Sequence, residues 1–449
     1  MLLWISLLRK RKITMKHTLR TLTLGCSKNR VDTEHLVSQL GEGFLVIDEN
    51  ETDAAVDYLL INTCGFIGDA KQESIDAILR SVEQKKAGII RQIIVFGCLS
   101  ERYAAELPDL IPEVDVWFGA RDTDPILKYL GVTPDHSLMK YRKPTDCGPA
   151  TAYLKIAEGC DRRCSYCAIP HIRGAHKSVP MEELVEEAKV LASKGVKELI
   201  LIAQDTTYYG LDLYRRRALA ELIEKLSAIE QIHWIRIHYS YPDDFPEDVL
   251  EQMAHNPKVC KYLDIPLQHI SDVVLSNMRR HVDGAWTRKL IARLREEVPG
   301  VALRTTMIVG HPGEGEKEFE ELLDFCKSAR FERLGAFMYS EEEGTYGAKH
   351  FKDEVSPEDK ESRYERLMEC QSEISYSFNQ SRVGSELEVL VDDVSGGKLI
   401  CRSQYDSPEV DGEIFVKVPQ GVDARALVGN FIKVRVTSAD LYDLCAEII

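Results

Sequence analysis

Nine apolar runs of β-type spacing recur along this chain, with helix-period stretches between most of them. Such alternation confines the fold to parallel sheets, because a parallel neighbour can be reached only through a crossover of a dozen or more residues. The first three runs are LRTLTLGC at 19–26, DYLLINTC at 57–64 and QIIVFGC at 92–98, and each ends in a small-residue turn carrying a cysteine. Helix-period stretches at 32–40 and 70–86 lie between them. The order is βαβαβ, and the expected fold over 17–133 is a doubly wound, flavodoxin-like parallel sheet. Cys26, Cys64 and Cys98 then stand at carboxyl ends of strands, where an open parallel sheet gathers its ligands.

A polar, proline-containing linker carries the chain to Pro149, after which the alternation restarts. Runs at 153–157, 198–203, 234–239, 262–267, 303–309 and 334–339, with helices such as 218–229, 288–298 and a last one at 357–380, predict a partial (β/α) barrel of six parallel strands over 146–380. Beyond Gly384 the pattern changes to short strands and turns (ELEVLVDD, GKLICRS, DGEIFVKV, NFIKVRVTSA). That predicts a small all-β barrel of five strands over 381–449.

The 449 residues carry 57 basic and 73 acidic side chains, a net charge of -16 that repels polyphosphate and favours a basic partner. DNA is therefore not an expected partner. No apolar run approaches the roughly 20 residues that span a bilayer. The stretch 1–8 is too short for a secretory signal and precedes its basic residues, so the reading is cytoplasmic with no membrane contact. Met15 is a second candidate start, which would leave 1–14 as a translated leader. Twelve cysteines in such a setting point to metal or redox chemistry for some and to packing for the rest.

Cys160-Asp161-Arg162-Arg163-Cys164-Ser165-Tyr166-Cys167 directly follows the first barrel run. Three thiolates within so short a loop can hold three irons of an iron–sulfur cubane and leave the fourth iron open, and an open iron is a reaction site. No fourth cysteine nearby completes a zinc tetrahedron, although His171 keeps zinc open by count alone. The segment resembles the radical S-adenosylmethionine superfamily signature CxxxCxΦC, with Tyr166 as the aromatic. That resemblance implies a 4Fe-4S cluster on Cys160, Cys164 and Cys167 whose open iron binds the amino and carboxylate groups of S-adenosylmethionine. An electron from the cluster would cleave this cofactor to a hydrogen-abstracting 5'-deoxyadenosyl radical.

Taken singly, Cys26, Cys64 and Cys98 read as packing cysteines, whereas three at equivalent strand ends read as ligands. Their surroundings, LGCSKNRVDTE, INTCGFIGDAKQESI and FGCLSERY, are similar to the amino-terminal domain of the methylthiotransferases. The similarity implies an auxiliary 4Fe-4S cluster there, with an open iron holding the sulfur to be inserted as a persulfide or polysulfide. Cys147, Cys260, Cys326, Cys370, Cys401 and Cys445 show no ligand spacing and are expected to be structural.

Inward polar residues of a parallel barrel are costly unless they meet a ligand or a partner. Arg236, His238 and Ser240 share one strand face, as do Arg304, Thr306 and Gly310, and likewise Asp264 and Gln268. They read equally as cofactor or substrate contacts and as internal ion pairs, for example Asp264 with Arg236 or Arg304. Gln204 and Asp205 end the second strand, where many superfamily members place a Gly-Glu-Glu run holding the cofactor amine, and this sequence departs from that run. The turn Val309-Gly310-His311-Pro312-Gly313-Glu314 resembles the Gly-Pro-Gly-Glu turn beside the adenosyl group. Tyr166, Gln204, Arg304 and Gly310 are the expected cofactor-binding residues.

The likeness to methylthiotransferases runs from about residue 19 to the end, and the last part resembles a TRAM domain. Residues 380–449 hold 7 basic and 12 acidic side chains, a net of -5, which is a poor phosphate surface and a good one for a basic protein. Asp406, Glu409, Asp411 and Glu413 are expected among its surface acids. AQDTTYYG, HYSYP, YLDIPLQHISDVVLSNMRR and RSQYDSPEVDG are similar to the branch that acts on a ribosomal protein, the RimO family. Membership implies addition of a methylthio group to the β-carbon of an aspartate in small-subunit ribosomal protein S twelve, with S-adenosylmethionine as both methyl donor and radical source. It also implies a low-potential reductant such as flavodoxin and a sulfur donor. The alternatives are a transfer-RNA adenosine methylthiotransferase with the same chemistry, and a non-catalytic iron–sulfur or zinc RNA-binding protein.

Overall fold

The computed structural model describes residues 16–145 and 148–449, so the expectations for 1–14, Met15 and Cys147 lie outside it. The chain divides into two compact units, one ending at Met139 and the other beginning at Lys140.

In the first unit, β1 (His17–Thr23), β2 (Phe44–Ile47), β3 (Val56–Thr63), β4 (Ile90–Gly97) and β5 (Val116–Trp117) form one parallel sheet in the order β2-β1-β3-β4-β5. This is the flavodoxin-like order expected. Successive residues of β3 and β4 point to opposite faces and both faces are covered, so both strands are apolar without alternation. Leu59, Ile61, Ile93 and Val95 pack with Ile78 and Val82 of the helix Gly68–Lys86. Leu60, Ile94 and Phe96 pack with Leu36, Ile126 and Leu127. β2 and β5 are not legible in the sequence: the first is a four-residue edge strand with Leu45 and Val46 exposed, and the second has two residues.

The second unit opens on β6 (Thr151–Lys155). β7 (Ala157–Glu158) then pairs antiparallel with β8 (Lys177–Ser178). β9 (Glu198–Ile202), β10 (Trp234–Ile237), β11 (Val259–Asp264), β12 (Ala302–Val309) and β13 (Arg333–Met338) join β6 in a six-stranded parallel sheet ordered β13-β12-β11-β10-β9-β6. β6 and β13 are its two edges, which makes it the partial barrel expected. One face of each strand, including Leu199, Leu201, Ile235, Ile237, Leu263 and Leu303, packs with helix residues such as Leu222, Leu290, Phe319 and Leu322. Each such fully buried side chain stabilises by about 1.5–3 kcal/mol. The alternate residues line the lumen.

The helix Pro357–Ser381 leads into β14 (Glu386–Ser395), β15 (Lys398–Ser403), β16 (Ile414–Lys417), β17 (Phe431–Ala439) and β18 (Leu444–Ile448). These close into a small barrel in the order β14-β15-β16-β18-β17 around Val389, Val391, Leu399, Cys401, Val416 and Val434. Among the described residues, no helix is long and apolar enough to cross a membrane.

Candidate functional site

The three amino-terminal cysteines follow their strands as the sequence places them. Cys26 precedes the helix Ser27–Val37, Cys64 comes directly after β3, and Cys98 directly after β4. The turns converge. A Cβ on Gly25 would lie 2.8 Å from Cys64 Sγ, and one on Gly65 would lie 2.7 Å from the Leu99 nitrogen, so only glycine permits the approach. Asn29 ties the three together: its Nδ2 donates to the carbonyls of Leu24 and Thr63, and its Oδ1 stands 3.8 Å from Cys98 Sγ. Cys64 and Cys98 are buried and Cys26 is exposed.

In the second unit, β7 and β8 clasp the ends of the loop bearing Cys160, Cys164 and Cys167. Gly159 adopts φ +76°, and a Cβ there would sit 2.1 Å from the Ala175 carbonyl oxygen. The clasp therefore requires glycine at that position. The Cys160 N–H donates to the Gly174 carbonyl at 3.1 Å and the Ser165 N–H to that of Met278 at 2.9 Å, which anchors the loop at both ends. Tyr166 is half-buried and lies edge-on to His311, their ring centroids 6.3 Å apart. His311 Nε2 stands 3.4 Å from Ser165 Oγ, and burial lowers its pKa to about 4. Burial pushes the Cys160 thiol up to about 12 and drives Cys167 up as well. Five further cysteines, Cys260, Cys326, Cys370, Cys401 and Cys445, are free and lie in or against apolar packing or in strands, away from these loops.

Around the second loop stand groups to which sequence reasoning assigns no role. The Tyr241 ring lies between two guanidiniums, with Arg162 Cζ 3.9 Å and Arg280 Cζ 4.0 Å from its centroid. Its hydroxyl and Arg280 Nη1 each stand 3.9 Å from Cys164 Sγ. Arg162 is matched by Asp205 and Asp243, both at 2.9 Å. Glu158, next to the motif, accepts from Lys155 at 2.8 Å, Arg173 at 3.1 Å and Gln204 Nε2 at 2.7 Å. Burial opposes its charge, but Lys155 and Arg173 prevail and hold the carboxyl at about 2. Tyr241 and Arg280 fall within HYSYP and the MRR tail, stretches that mark the family branch without revealing which side chains turn inward.

Among the described residues, no three histidine, cysteine or acidic side chains are gathered as an ion would gather them. Beside the loop stand buried polar atoms that lack partners, namely Arg162 Nη2, Gln204 Oε1 and Arg280 Nε. Two unmet cationic donors and one unmet acceptor beside three thiols suit an anionic iron–sulfur centre and a ligand carrying both carboxylate and amine. Gly310 N–H donates to Glu314 Oε1 at 2.8 Å, which fixes the turn after β12. His171 lies exposed on the short helix Ile169–Arg173.

The polar lumen residues are taken up largely by the carboxy-terminal module. Arg236 donates to Glu198 at 2.9 Å and to the carbonyls of Gln404 and Ser403, while Glu198 also holds Arg402 at 2.9 Å. His238 stands 3.0 Å from Ser407 Oγ, and Tyr262 donates to Asp411 at 2.7 Å. Asp264 takes Arg304 at 2.8 Å, one of the two ion pairs the sequence left open. Arg304 lies six residues before Gly310, about 20 Å along the same strand at roughly 3.3 Å per residue, at the end filled by the 404–413 connection. The expectation of four surface acids needs correction. Asp406 is buried and pairs with Arg333 at 2.6 Å, and the Asp411 side chain, only 1% exposed, lies 3.8 Å from Arg304, whereas Glu409 and Glu413 are exposed.

Residues 18–119 match the Uncharacterized protein family UPF0004, residues 154–326 the radical SAM superfamily and residues 383–449 the TRAM domain. A ribosomal protein uS12 methylthiotransferase RimO of Phocaeicola vulgatus is 48% identical over 435 residues, 97% of this chain and 100% of that one. The RimO of Cytophaga hutchinsonii is 48% identical over 441 residues, 98% of this chain and 100% of its own. The chain belongs to the RimO family of methylthiotransferases. That of Porphyromonas gingivalis is also 48% identical, over 95% of this chain and 98% of the relative. Among solved structures, the radical S-adenosylmethionine methyltransferase TsrM of Kitasatospora setae superposes with a TM-score of 0.53 at 12% identity, covering 72% of this chain and 75% of that one. At that identity the likeness speaks for the fold of this RimO-family chain alone.

Proposed function

We propose that this chain adds a methylthio group to the β-carbon of an aspartate of ribosomal protein uS12, as a radical S-adenosylmethionine enzyme. The observation that carries the reading is identity of 48% to RimO proteins across nearly the whole of both chains, spanning both cysteine sets and the carboxy-terminal barrel. Bound at Cys160, Cys164 and Cys167 and at Cys26, Cys64 and Cys98, two 4Fe-4S clusters supply reductive cleavage of S-adenosylmethionine and a seat for the incoming sulfur.

The chain's own residues do the rest. The β7–β8 clasp and the anchored Ser165 fix the loop before any ligand arrives, so little reorganisation remains at the moment of reaction. Gln204 Oε1 is the acceptor offered to the cofactor amine, oriented by the bond of its Nε2 to Glu158. Gly310 brings a backbone turn close, Tyr166 and His311 form the apolar wall that excludes water, and Arg304 braces the lumen through Asp264. Residues 17–133 serve sulfur handling, 146–380 the radical chemistry and 381–449 contact with the protein substrate. One electron per cleavage comes from a low-potential donor of the flavodoxin class, and a separate sulfur donor replenishes the auxiliary site. The setting is the cytoplasm, where ribosomal proteins are made.

The test is to incubate the anaerobically reconstituted chain with S-adenosylmethionine, a strong reductant, sulfide and ribosomal protein uS12, and to map the product by mass spectrometry. One methylthio group on a single aspartate is expected. Modification of transfer-RNA adenosine with none on the ribosomal protein would move the chain to the other branch.

A further inference from the structure

Arg280 is a buried cation with no carboxylate partner among the described residues: its Nη2 donates to the Pro266 carbonyl at 2.6 Å, its Nη1 points at Cys164 Sγ, and its Nε has no partner. A buried charge left so is costly unless an anion stands beside it. The nearest candidate is the Cys164 sulfur, which the Tyr241 hydroxyl also approaches at 3.9 Å. The Tyr241 ring cannot turn away, because Arg162 and Arg280 close on its two sides and Asp205 and Asp243 hold Arg162 in place. The result is a fixed stack that directs one hydrogen-bond donor and one uncompensated positive charge at a single one of the three thiols.

We propose that Arg280 and Tyr241, held in register by Arg162, raise the reduction potential of the iron–sulfur centre bound at Cys160, Cys164 and Cys167. The proposal rests on the radical-enzyme reading above. When one electron passes from the reduced donor to this centre, the donor is oxidised by one and the centre gains one negative charge. A nearby cation and a hydrogen bond to a ligand sulfur both favour that added charge, and such groups tune iron–sulfur potentials generally. Arg162 contributes position more than charge, since two carboxylates offset it.

The experiment is a redox titration of the full chain, anaerobically reconstituted and followed by electron paramagnetic resonance. It compares wild type with Tyr241→Phe, Arg280→Gln and Arg280→Lys. The radical-site midpoint should shift downward in Tyr241→Phe and further in Arg280→Gln, and stay near wild type in Arg280→Lys. The auxiliary midpoint should not move in any variant. Unshifted midpoints in fully loaded Tyr241→Phe and Arg280→Gln would overturn the proposal, and so would an equal shift in Arg280→Lys and Arg280→Gln. If Arg280→Gln does not load, Tyr241→Phe, which retains every charge, decides alone. A wild type with a single reducible centre would instead defeat the two-cluster reading, an outcome visible before any variant is made.

Discussion

Glu158 and His311 both lie beside the cysteine loop, the first charged and the second neutral in the fold, and acid acts on each in its own window. The Glu158 carboxyl sits at about 2 in the fold against an ordinary 4.5, so its stabilising effect is complete above 4.5 and is lost as pH falls from 4.5 to 2. His311 sits at about 4 against 6.5 and is neutral when buried, so its effect is complete above 6.5 and is lost between 6.5 and 4. Each shift corresponds to roughly 3 kcal/mol. Denaturant unfolding of the cluster-free chain should show wild type weakening from pH 6.5 downward, with His311→Gln shallower between 6.5 and 4, His176 still weakening it there, and Glu158→Gln shallower below 4.5. Identical pH profiles for all three would show that neither group is linked to folding. The thiols give a second prediction at this scale. Changing Cys160, Cys164 and Cys167 together to alanine should lower reconstituted iron from about eight atoms to about four and abolish reductive cleavage of S-adenosylmethionine, measured as 5'-deoxyadenosine. Retained cleavage would place the radical site elsewhere.

Among the elements, the connection between β15 and β16 does more than join two strands. It places Asp406 and Asp411 under the six-stranded sheet, where Arg333, Arg304 and Tyr262 meet them. Burial pushes the Asp411 carboxyl up even with two arginines near it, so it is held by hydrogen bonds from Tyr262 and the Ser407 N–H at least as much as by charge. Truncating one partner of such a buried set costs about 3–5 kcal/mol, because the others are left unmatched. Asp411→Ala should therefore lower the thermal midpoint of the whole second unit, and Asp411→Asn, which can still accept from Tyr262, by less than half as much. Calorimetry would check both. This contact also marks where sequence reading stopped. The strand-end cysteines and the six barrel strands were legible because their spacing follows from local geometry, and strand ends in a parallel sheet share one side. β5 was not, having two residues, and neither was β2, an edge strand of four with Leu45 and Val46 exposed. Neither was the fate of Arg236, whose partner Glu198 lies 38 residues away on the neighbouring strand, nor the inward turn of Arg280, which no local pattern encodes.

At the scale of the molecule, sulfur handling and radical formation are assigned to different units. Changing Cys26, Cys64 and Cys98 to alanine should leave 5'-deoxyadenosine formation in place and remove methylthiolated product, and normal product from that variant would return those cysteines to a packing role. Charge gives the last prediction. The module's net of -5 over 380–449 overstates its outer surface, because Asp392, Asp406, Asp411 and Arg402 are engaged at the junction with the six-stranded sheet. With those set aside, nine acidic and six basic side chains remain, a net of -3. That is still acidic, within a chain at -16, and should speed association with a lysine- and arginine-rich ribosomal protein. The attraction should fade with salt, since the Debye length falls from about 10 Å at 0.1 M to about 3 Å at 1 M. The residues that test it are exposed acids such as Asp393, Asp423 and Glu447. Reversal of Asp406 or Asp411 would report on folding instead. Changing the three exposed acids to lysine should slow association with the isolated ribosomal protein several-fold at low salt, leave the dissociation rate nearly unchanged, and leave the iron content at wild-type level. Stopped-flow binding over a range of salt concentrations would measure this, and a wild-type association rate indifferent to salt would mean that the acidic balance plays no part in finding the substrate.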